Sequence, residues 1–329
     1  MALAAVVTAA PSVAMSASRP LVIVLNWNGE QELLDCLDSL DKARHQHPAH
    51  PFDVLLVDNG STEGVFSQAC RQFPAVEILA LPENLYWAGG NNAAIAWALE
   101  RSYPWLVFCN SDIVVDGRWS EALARFEAAA DIAAVGFRVL GEYSRVPFAA
   151  FEQAQQQFRM DRLSTEDELY ISGCFLAIRS DCFRRLGVFD PVYRMYSEED
   201  DFLMRVRLAG WRTVRCSAPI WHASELASRR VPRLTAYLAI RNSLRLRLKF
   251  GPRRPLSSFG FALRVLAGML DPRREVDLVN SYQRRLKPSP NPLVNLPILA
   301  AACLWNLLHL AETLQMGHRD RLAALQGRA

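Results

Sequence analysis

The 329-residue sequence lacks the marks of several large protein classes. It has seven cysteines, but the number is odd and no two form a Cys-x-x-Cys pair, so we expect reduced thiols in a reducing compartment. Its formal net charge is only +3, so we expect no nucleic-acid partner. The Gly-x-Gly-x-x-Gly loop of dinucleotide-binding domains is absent, and so are a P-loop and the Gly-x-Ser-x-Gly turn of α/β hydrolases.

The first residues also do not have the pattern expected of a secretory signal. The first charged side chain is Arg19, whereas a secretory signal starts with basic residues and has a longer apolar centre. We therefore predict a flexible tail over residues 1–19, with Met15 as an alternative start of translation.

The most apolar C-terminal stretch, Leu296–Leu308, is too short to span a bilayer. It has about 13 residues, and a spanning helix needs roughly 20. Asn306, His309 and Glu312 recur every three residues, which predicts a polar stripe on an amphipathic helix. Such a helix would either pack on the rest of the chain or lie on a membrane surface.

Short apolar, β-branched runs alternate with helical patterns in the first two thirds of the chain. The runs predict strands at residues 21–25, 54–57, 76–79, 105–109, 170–179 and 211–216. Helical spacing of apolar residues predicts helices at 30–43, 91–100 and 120–130, and from the acidic run at 198–201 to Gly210. Strands that alternate with helices form mostly parallel sheets covered on both faces, so we predict the α/β class with a mostly parallel central sheet.

The character of the chain changes near residue 226. We predict one α/β domain over residues 20–225 and a helical, basic C-terminal extension over residues 226–329. Between 226 and 270 there are ten Lys or Arg residues and no Asp or Glu. Such a block indicates either a nearby anionic surface or ligand, or a solvated basic helix face. Within the α/β domain, the polar stretch at 141–168 predicts a loop or lid over the site.

Polar loops follow the carboxyl ends of the predicted strands, which is the edge where open α/β sheets bind ligands. Asp58 follows the second strand and Asp112 the fourth, so both can converge on one crevice. Asp112 is a candidate ligand for a hard divalent cation, although an aspartate at a strand end is more often a turn or helix cap. The run Glu198–Asp201 supplies candidate general bases, or an acidic first turn favoured by the helix dipole. Mutual repulsion predicts a raised pKa for some of the four unless cations lie near.

Seven segments carry a resemblance to a known family. In chain order they are LNWNG, LLVDNGSTEG, ENLYWAGGNN, FCNSD, GCFLAIR, GVFDPVYRMYSEEDD and IWH. In this order they resemble the inverting family 2 glycosyltransferases of GT-A fold, and within them the rhamnosyltransferase-like branch that builds bacterial surface polysaccharides. The resemblance covers residues 20–224 and continues more weakly through Tyr237–Asn242.

The resemblance implies a role for each matched position. Glu199 would be the catalytic base, and Asp112 and His222 would hold a divalent metal, Mg²⁺ or Mn²⁺. Three neighbouring acids are alternatives for the base: Glu198, Asp200 and Asp201. The donor nucleotide would be bound by Asn26, Asn28, Asp58, Gly90, Asn92 and Ser111.

The sequence departs from the family pattern at a few of these positions. Asn110 stands where many members have an aspartate, so the metal would have one carboxylate fewer. Glu63 replaces the usual aspartate after Ser-Thr, and Tyr86-Trp87 is bulkier than the usual Gly-Phe beside the donor. The identity of the sugar is therefore left open.

The resemblance implies transfer of a sugar, with rhamnose as one candidate, from a dTDP- or UDP-sugar to a glycan or lipid-linked acceptor in cell-surface polysaccharide synthesis. The expected location is the cytoplasm, with the basic C-terminal region as a candidate peripheral contact to the inner face of the plasma membrane. One alternative is a nucleotide-sugar binding partner of an assembly complex that does not itself catalyse transfer. A sugar nucleotidyltransferase is disfavoured because its Gly-rich N-terminal loop with Arg and Lys is absent.

Overall fold

The computed structural model describes residues 6–8, 19–29, 31–62, 66–141, 147–223, 232–251, 254–270, 276–277, 285–286 and 292–326. The main sheet has ten strands: β1 Val6–Thr8, β2 Leu21–Asn26, β3 Asp53–Asn59, β4 Glu77–Leu81, β5 Trp105–Asn110, β6 Ile113–Val115, β7 Ile132–Gly141, β8 Thr165–Asp167, β9 Phe175–Arg179 and β10 Arg212–His222. The helices are α1 Gln31–Gln46, α2 Phe66–Gln72, α3 Tyr86–Leu99, α4 Trp119–Ala124, α5 Phe148–Gln157, α6 Ser180–Leu186, α7 Glu198–Leu208, α8 Pro232–Phe250, α9 Arg254–Leu270, α10 Pro292–Leu308 and α11 Leu310–Gln326. A separate pair of two-residue strands is formed by β11 Val276–Asp277 and β12 Arg285–Leu286.

The strand order of the main sheet is β1-β4-β3-β2-β5-β9-β7-β10-β6, with β8 paired to β10. Strands β4, β3, β2 and β5 are parallel neighbours, and β7 and β10 form a second parallel pair. Strand β9 runs antiparallel to both β5 and β7 and joins these two parts. The predicted α/β class is confirmed, and the antiparallel strands are an addition that the alternation of strands and helices did not indicate.

Both faces of the sheet are buried, as expected for the apolar strands. Along β2, Val22 and Val24 face the layer that contains α1, whereas Leu21 and Ile23 face the layer that contains α3 and α7. Successive strand side chains point to opposite faces, so a continuous apolar run is required where both faces are covered.

Two regions differ from the sequence-based expectations. Residues 6–8, predicted as part of a flexible tail, form β1 and pair antiparallel with β4. The stretch at 141–168 is not simply an irregular lid, because it contains α5, a short 3₁₀ helix at Met160–Arg162 and β8. Arg118 holds this segment in place by donating hydrogen bonds to the carbonyl oxygens of Gln155 and Phe158, both at 2.7 Å.

The C-terminal helices form a layer around α8. Helix α8 packs against α9, α10 and α11, and it also contacts α7 of the α/β domain. Three of its basic residues, Arg241, Arg245 and Lys249, are at most 4% exposed. The alternative of a solvated basic helix face is therefore wrong for these three side chains.

A search of the described residues finds no single helix long and apolar enough to cross a membrane. The pair Asn295–Leu308 and Leu310–Ala324 passes this criterion of length and composition only when taken together, with a bend of 63° between them.

Candidate active site

Three polar side chains lie at the carboxyl ends of neighbouring parallel strands. The register places Asn26 of β2 beside Asp58 of β3, and Leu25 of β2 beside Asn110 of β5. The topology therefore brings the first, second and fourth sequence motifs to one edge of the sheet, as expected for an open α/β sheet.

The Asn26–Gly29 and Asp58–Thr62 loops are bonded to each other. The Asn28 amide N–H donates to Ser61 Oγ at 2.9 Å, and Asn28 Oδ1 accepts from the Thr62 amide at 2.8 Å. Asp58 Oδ1 accepts from the Ser61 amide at 3.2 Å. These bonds preorganise the crevice edge, so Asn28 shapes the pocket through the neighbouring loop.

Asn59 is a residue that the sequence interpretation missed. Its Nδ2 group donates to Asn84 Oδ1 at 3.0 Å, and its Oδ1 accepts from the Leu85 amide at 2.9 Å. The side chain is 2% exposed and fixes the start of α3 against β3. Its position directly after Asp58, at the carboxyl end of a strand, could have identified it as a residue of the site.

The Gly-rich stretch lies inside α3, which begins at Tyr86 rather than at the predicted Asn91. A Cβ atom on Gly90 would lie 2.6 Å from Leu25 Cδ1, so glycine at this position allows α3 to approach β2 closely. Asn92 exchanges two hydrogen bonds with the backbone of Phe189, at 2.8 and 3.1 Å. Both residues thus have a packing role, and their contact with a donor stays a prediction.

Asp112 and His222 are brought together by the pairing of β6 with β10. His222 lies opposite Ile113 in this antiparallel register, and the Ala223 amide donates to the Asp112 carbonyl oxygen at 2.9 Å. Asp112 Oδ1 lies 3.2 Å from His222 Nε2, with both side chains about one-tenth exposed. Ser111 is half-buried in the turn between β5 and β6.

Glu199 lies in the first turn of α7 and is 3% exposed. Its Oε1 atom accepts a hydrogen bond from the Gly173 amide at 3.4 Å. A Cβ atom on Gly173 would lie 2.9 Å from the Trp87 ring and 3.5 Å from the Glu199 carboxyl carbon. Trp87 in turn donates from Nε1 to Asn110 Oδ1 at 3.2 Å. A chain of contacts therefore runs from the Asn-Ser-Asp turn to the candidate base.

The thiol of Cys174 is close enough to both Asp112 and Glu199 to be affected by their charges. Burial raises the pKa of its thiol to about 12, and the negative charges of Asp112 and Glu199 add to the rise. Its carbonyl oxygen accepts from the Asn110 amide at 2.9 Å. The segment that leads into β9 is thus bonded to the Asn-Ser-Asp turn through Asn110 and to the candidate base through the Gly173 amide.

Asp201 lies in the same first turn of α7 as Glu199, but its carboxylate is bonded to basic side chains. Its carboxylate is fully buried, 2.6 Å from Lys249 Nζ and 3.1 Å from Arg205 Nε. Burial alone would raise the pKa of Asp201, but the two cations hold it below its ordinary value. Mutual repulsion within the acidic run therefore does not raise this pKa, and the ion pairs argue against Asp201 as the base.

Glu198 and Asp200 are also almost completely buried, at 3% and 2% exposure. They stay alternatives to Glu199, which is the acid of the run bonded to the Gly173 amide.

The segment before α7 has an unusual backbone. Arg194, Tyr196 and Ser197 all have positive φ, at 62°, 74° and 67°. Side chains with a Cβ atom rarely adopt this conformation, and each such residue costs about 1–3 kcal/mol unless its surroundings hold it.

Two residues of α8 hold this segment. Asn242, fully buried, directs its Nδ2 group to the carbonyl oxygens of Tyr193, Met195 and Tyr196, at 2.7–2.8 Å. Arg241 donates to the carbonyl oxygens of Val192 and Tyr193. The family resemblance continues weakly through Tyr237–Asn242, and the last two residues of this stretch hold the loop that leads into Glu199 by hydrogen bonds.

The Asp112–His222 pair fits a divalent cation that also has substrate and water ligands. No group of three or more His, Cys, Asp or Glu side chains suited to a metal occurs among the described residues. Mg²⁺-type sites often use only one or two carboxylates together with phosphate oxygens and water. Carboxylate suits Mg²⁺ and Mn²⁺, and imidazole suits divalent transition metals, so both side chains are chemically compatible with Mn²⁺.

The chain is similar to known proteins in sequence and in fold. The family model described as Glycosyl transferase family 2 matches residues 21–187. Two curated proteins from Mycobacterium tuberculosis strains, both named N-acetylglucosaminyl-diphospho-decaprenol L-rhamnosyltransferase, are 27% identical over 249 residues, which is 64% of this chain and 78% of theirs.

Solved structures show the same fold at low sequence identity. S. aureus TarS 1-349 in complex with UDP-GlcNAc is 16% identical, with a TM-score of 0.59, over 94% of this chain and 89% of that one. The mannosyltransferase PcManGT from Pyrobaculum calidifontis, in complex with GDP-Man and Mn²⁺, is 15% identical, with a TM-score of 0.52, over 94% and 86%.

Proposed function

Since the chain belongs to glycosyl transferase family 2 and is a glycosyltransferase, we propose that it transfers rhamnose or a related sugar from a dTDP- or UDP-sugar, with inversion, to a lipid-linked or glycan acceptor. The name of the M. tuberculosis relatives, an L-rhamnosyltransferase of a diphospho-decaprenol, supports this choice of sugar and acceptor. The product would belong to a cell-surface polysaccharide.

The proposal depends most on one observation, the chain of contacts from Asn110 through Trp87 and Gly173 to Glu199, which connects the Asn-Ser-Asp turn to the candidate base. Transfer with inversion needs a base at the acceptor hydroxyl and positive charge at the departing diphosphate. Glu199 would accept the proton of the acceptor hydroxyl as that oxygen attacks the anomeric carbon. General base catalysis of this kind contributes about 10²- to 10⁴-fold to the rate.

A divalent cation, Mg²⁺ or Mn²⁺, is proposed at Asp112 and His222. When bound, it would neutralise the charge that develops on the nucleoside diphosphate. The Asp112 carboxylate and the His222 imidazole would hold that cation beside the turn that follows β5. Ser111, between Asn110 and Asp112, is proposed to contact the donor in the same turn.

The donor nucleotide is proposed to lie over the carboxyl ends of β2 and β3. Asp58 would bind the pyrimidine base, and Asn26 and Asn28 would line the pocket. Their hydrogen bonds to the 61–62 turn support this, because a pocket wall that is already ordered loses little entropy on binding.

The expected place of action is the cytoplasm, at the inner face of the plasma membrane, where a lipid-linked acceptor presents its headgroup. The C-terminal helices are proposed as the peripheral contact. Arg241, Arg245 and Lys249 cannot supply this contact, because they are buried.

A donor screen with purified protein tests the function. Turnover is measured with dTDP-rhamnose, UDP-glucose, UDP-galactose and UDP-galactofuranose in the presence of Mn²⁺ or Mg²⁺. The comparison is between the wild type, Glu199→Gln and Glu198→Gln, with donor affinity measured by calorimetry. We expect Glu199→Gln to lose about 10²- to 10⁴-fold in turnover while it keeps its donor affinity.

Two results would contradict the proposal. Donor binding by the wild type without turnover of any sugar would indicate a non-catalytic nucleotide-sugar binding partner. Loss of turnover in Glu198→Gln but not in Glu199→Gln would move the base to the neighbouring acid.

A further inference from the structure

Exposed apolar side chains are concentrated in the C-terminal helices. Of the ten large hydrophobic residues that are exposed among the described residues, three lie in the α/β domain: Phe148, Leu169 and Val188. The other seven lie in α9, α10 and α11: Phe259, Leu263, Leu296, Leu304, Leu307, Leu308 and Leu322. Exposed apolar side chains that cluster on a few elements are typical of sites of interaction with a protein or a membrane.

Helix α10 buries its two described asparagines, Asn295 and Asn306, whereas the three leucines near its C-terminal end are exposed. Asn306 is 4% exposed and donates from Nδ2 to the carbonyl oxygens of Arg241 and Ala302, at 3.0 and 2.9 Å. Leu304, Leu307 and Leu308 are 57%, 68% and 74% exposed. The predicted polar stripe is therefore wrong: Asn306 is buried in α10, His309 lies between α10 and α11, and Glu312 is exposed on α11. Helix α10 packs on the protein through Asn306, and the leucines near its end are exposed.

Helix α10 contacts each of the other C-terminal helices. It packs against α9 and α11, and α9, α10 and α11 all pack on α8. The inner faces of α8, α9 and α10 form a small core of their own around Ile240, Phe261 and Leu299. The exposed leucines are therefore not needed to close that core.

On the described parts of α9 and α11, the exposed Arg, Lys, Asp and Glu side chains are two arginines, Arg264 and Arg319, and one acid, Glu312. Helix α10 has no charged residue, and the sequence from 226 to 270 contains no acid. Arg264 is exposed directly after Leu263 on α9, and Arg319 is exposed on α11. An apolar face flanked by exposed arginines suits the interface of a bilayer that contains anionic lipids.

We propose that the outer face of α9, α10 and α11 lies in the headgroup region of a phospholipid bilayer, with the leucines of α10 in the acyl boundary. This inference rests on the proposed function in one respect, since a lipid-linked acceptor places the substrate in the same surface. It differs from contact through the basic block, because the apolar side chains of α10 make the contact and the arginines only assist.

Vesicle co-sedimentation of the full chain tests the proposal. The vesicles are phosphatidylcholine alone, or phosphatidylcholine with phosphatidylglycerol, and the variants are Leu304→Glu/Leu307→Glu and Leu169→Glu. Leu169 is a matched control because it is a leucine, 49% exposed, in the α/β domain. We expect the double variant to lose about tenfold or more in partition to the mixed vesicles, because its leucines no longer enter the acyl boundary. Leu169→Glu should bind like the wild type, and melting curves check that both variants are folded.

Three outcomes would overturn the proposal. The wild type could fail to bind either vesicle, or the double variant could bind like the wild type. The wild type could also form a dimer in sedimentation equilibrium that the double variant loses, without vesicle binding, which would assign the face to a second copy. Donor turnover measured without lipid separates this test from the proposed function. Turnover without vesicle binding contradicts only the membrane contact, and vesicle binding without turnover contradicts only the function.

Discussion

At the scale of single residues, the spacing between Glu199 and Trp87 depends on the absence of a side chain at Gly173. The Gly173 amide is bonded to Glu199, and the position of a Cβ atom there is only 2.9 Å from the Trp87 ring. A methyl group would push apart the indole, which is bonded to Asn110, and the carboxylate. The sequence GCFLAIR matched the family pattern, but this reason for its glycine required the structure.

We therefore expect Gly173→Ala to lower kcat by about 10- to 100-fold, because small displacements of a catalytic group have effects of this size. Gly260→Ala in α9 is the control, because nothing lies within 4 Å of an added Cβ atom there. That control should keep wild-type turnover and gain up to about 1 kcal/mol in the free energy of unfolding. The measurement is kcat of the wild type and both variants, with the donor that the screen shows to be used fastest. A Gly173→Ala enzyme with wild-type kcat would contradict this account.

At the scale of elements, α8 supports the loop that leads into α7. The Asn242 side-chain amide lies within hydrogen-bond distance of three carbonyl oxygens in this loop, where three residues have positive φ. Buried carbonyl groups without a partner would destabilise this conformation, so the hydrogen bonds offset its strain. The acidic first turn of α7 thus receives its position from a helix that lies outside the predicted α/β domain.

Asn242→Ala should lower the free energy of unfolding by about 1–3 kcal/mol for each buried carbonyl group that loses its hydrogen bond. It should also lower kcat more than it changes the KM for the donor. The Arg194 carbonyl oxygen accepts from the Ala88 amide of α3 at 2.9 Å, so the donor KM should also rise, but kcat should change more because the loop leads directly into Glu199. Ser243→Ala removes a buried hydroxyl from the neighbouring position and serves as the control. Equal changes in kcat and KM, or none, would contradict a positioning role.

At the scale of the whole molecule, buried ion pairs connect the C-terminal helices to the α/β domain. Lys249 of α8 lies 2.6 Å from Asp201 of α7 and 2.8 Å from Asp320 of α11. Arg245 lies 3.3 Å from Asp190. Removing one partner of a buried pair leaves an uncompensated charge and costs about 3–5 kcal/mol. The predicted boundary near residue 226 is therefore crossed by contacts on which the folded state depends.

Lys249→Met is expected to lower the free energy of unfolding at pH 7 by about 3–5 kcal/mol. The folded-state pKa of Asp201 is lowered, so its contribution is present above the unfolded-state value near 3.9 and is lost as the pH falls through the folded-state pKa. The difference between wild type and variant should therefore shrink below about pH 4.

Denaturant unfolding across pH measures this difference. Lys42→Met is the control, because its ion pair with Asp38 is exposed and should contribute less than about 1 kcal/mol. A Lys249→Met protein as stable as the wild type at pH 7 would refute the role of this pair.

The sequence predicted the parts of the molecule that depend on local pattern. Apolar runs located strands β2 to β5, and the order of motifs placed Asp58 and Asp112 at one sheet edge. Contacts between distant segments were not predictable from one sequence, because no local pattern shows that Asn59 bonds to Asn84 or that Lys249 faces Asp201. The same limit applies to the ten Lys and Arg residues between 226 and 270. In the sequence, the buried ones cannot be distinguished from those that face solvent.

The central claim is that this glycosyltransferase uses Asp112, with His222, to hold a divalent cation at the donor diphosphate. The most direct test is sugar transfer by the wild type and Asp112→Asn, each with Mn²⁺ or with EDTA, alongside melting curves. The account predicts activity of the wild type only with the metal, a loss of at least about 100-fold in Asp112→Asn, and similar melting of both proteins. An Asp112→Asn enzyme with near wild-type transfer, or a wild type equally active in EDTA, would contradict it.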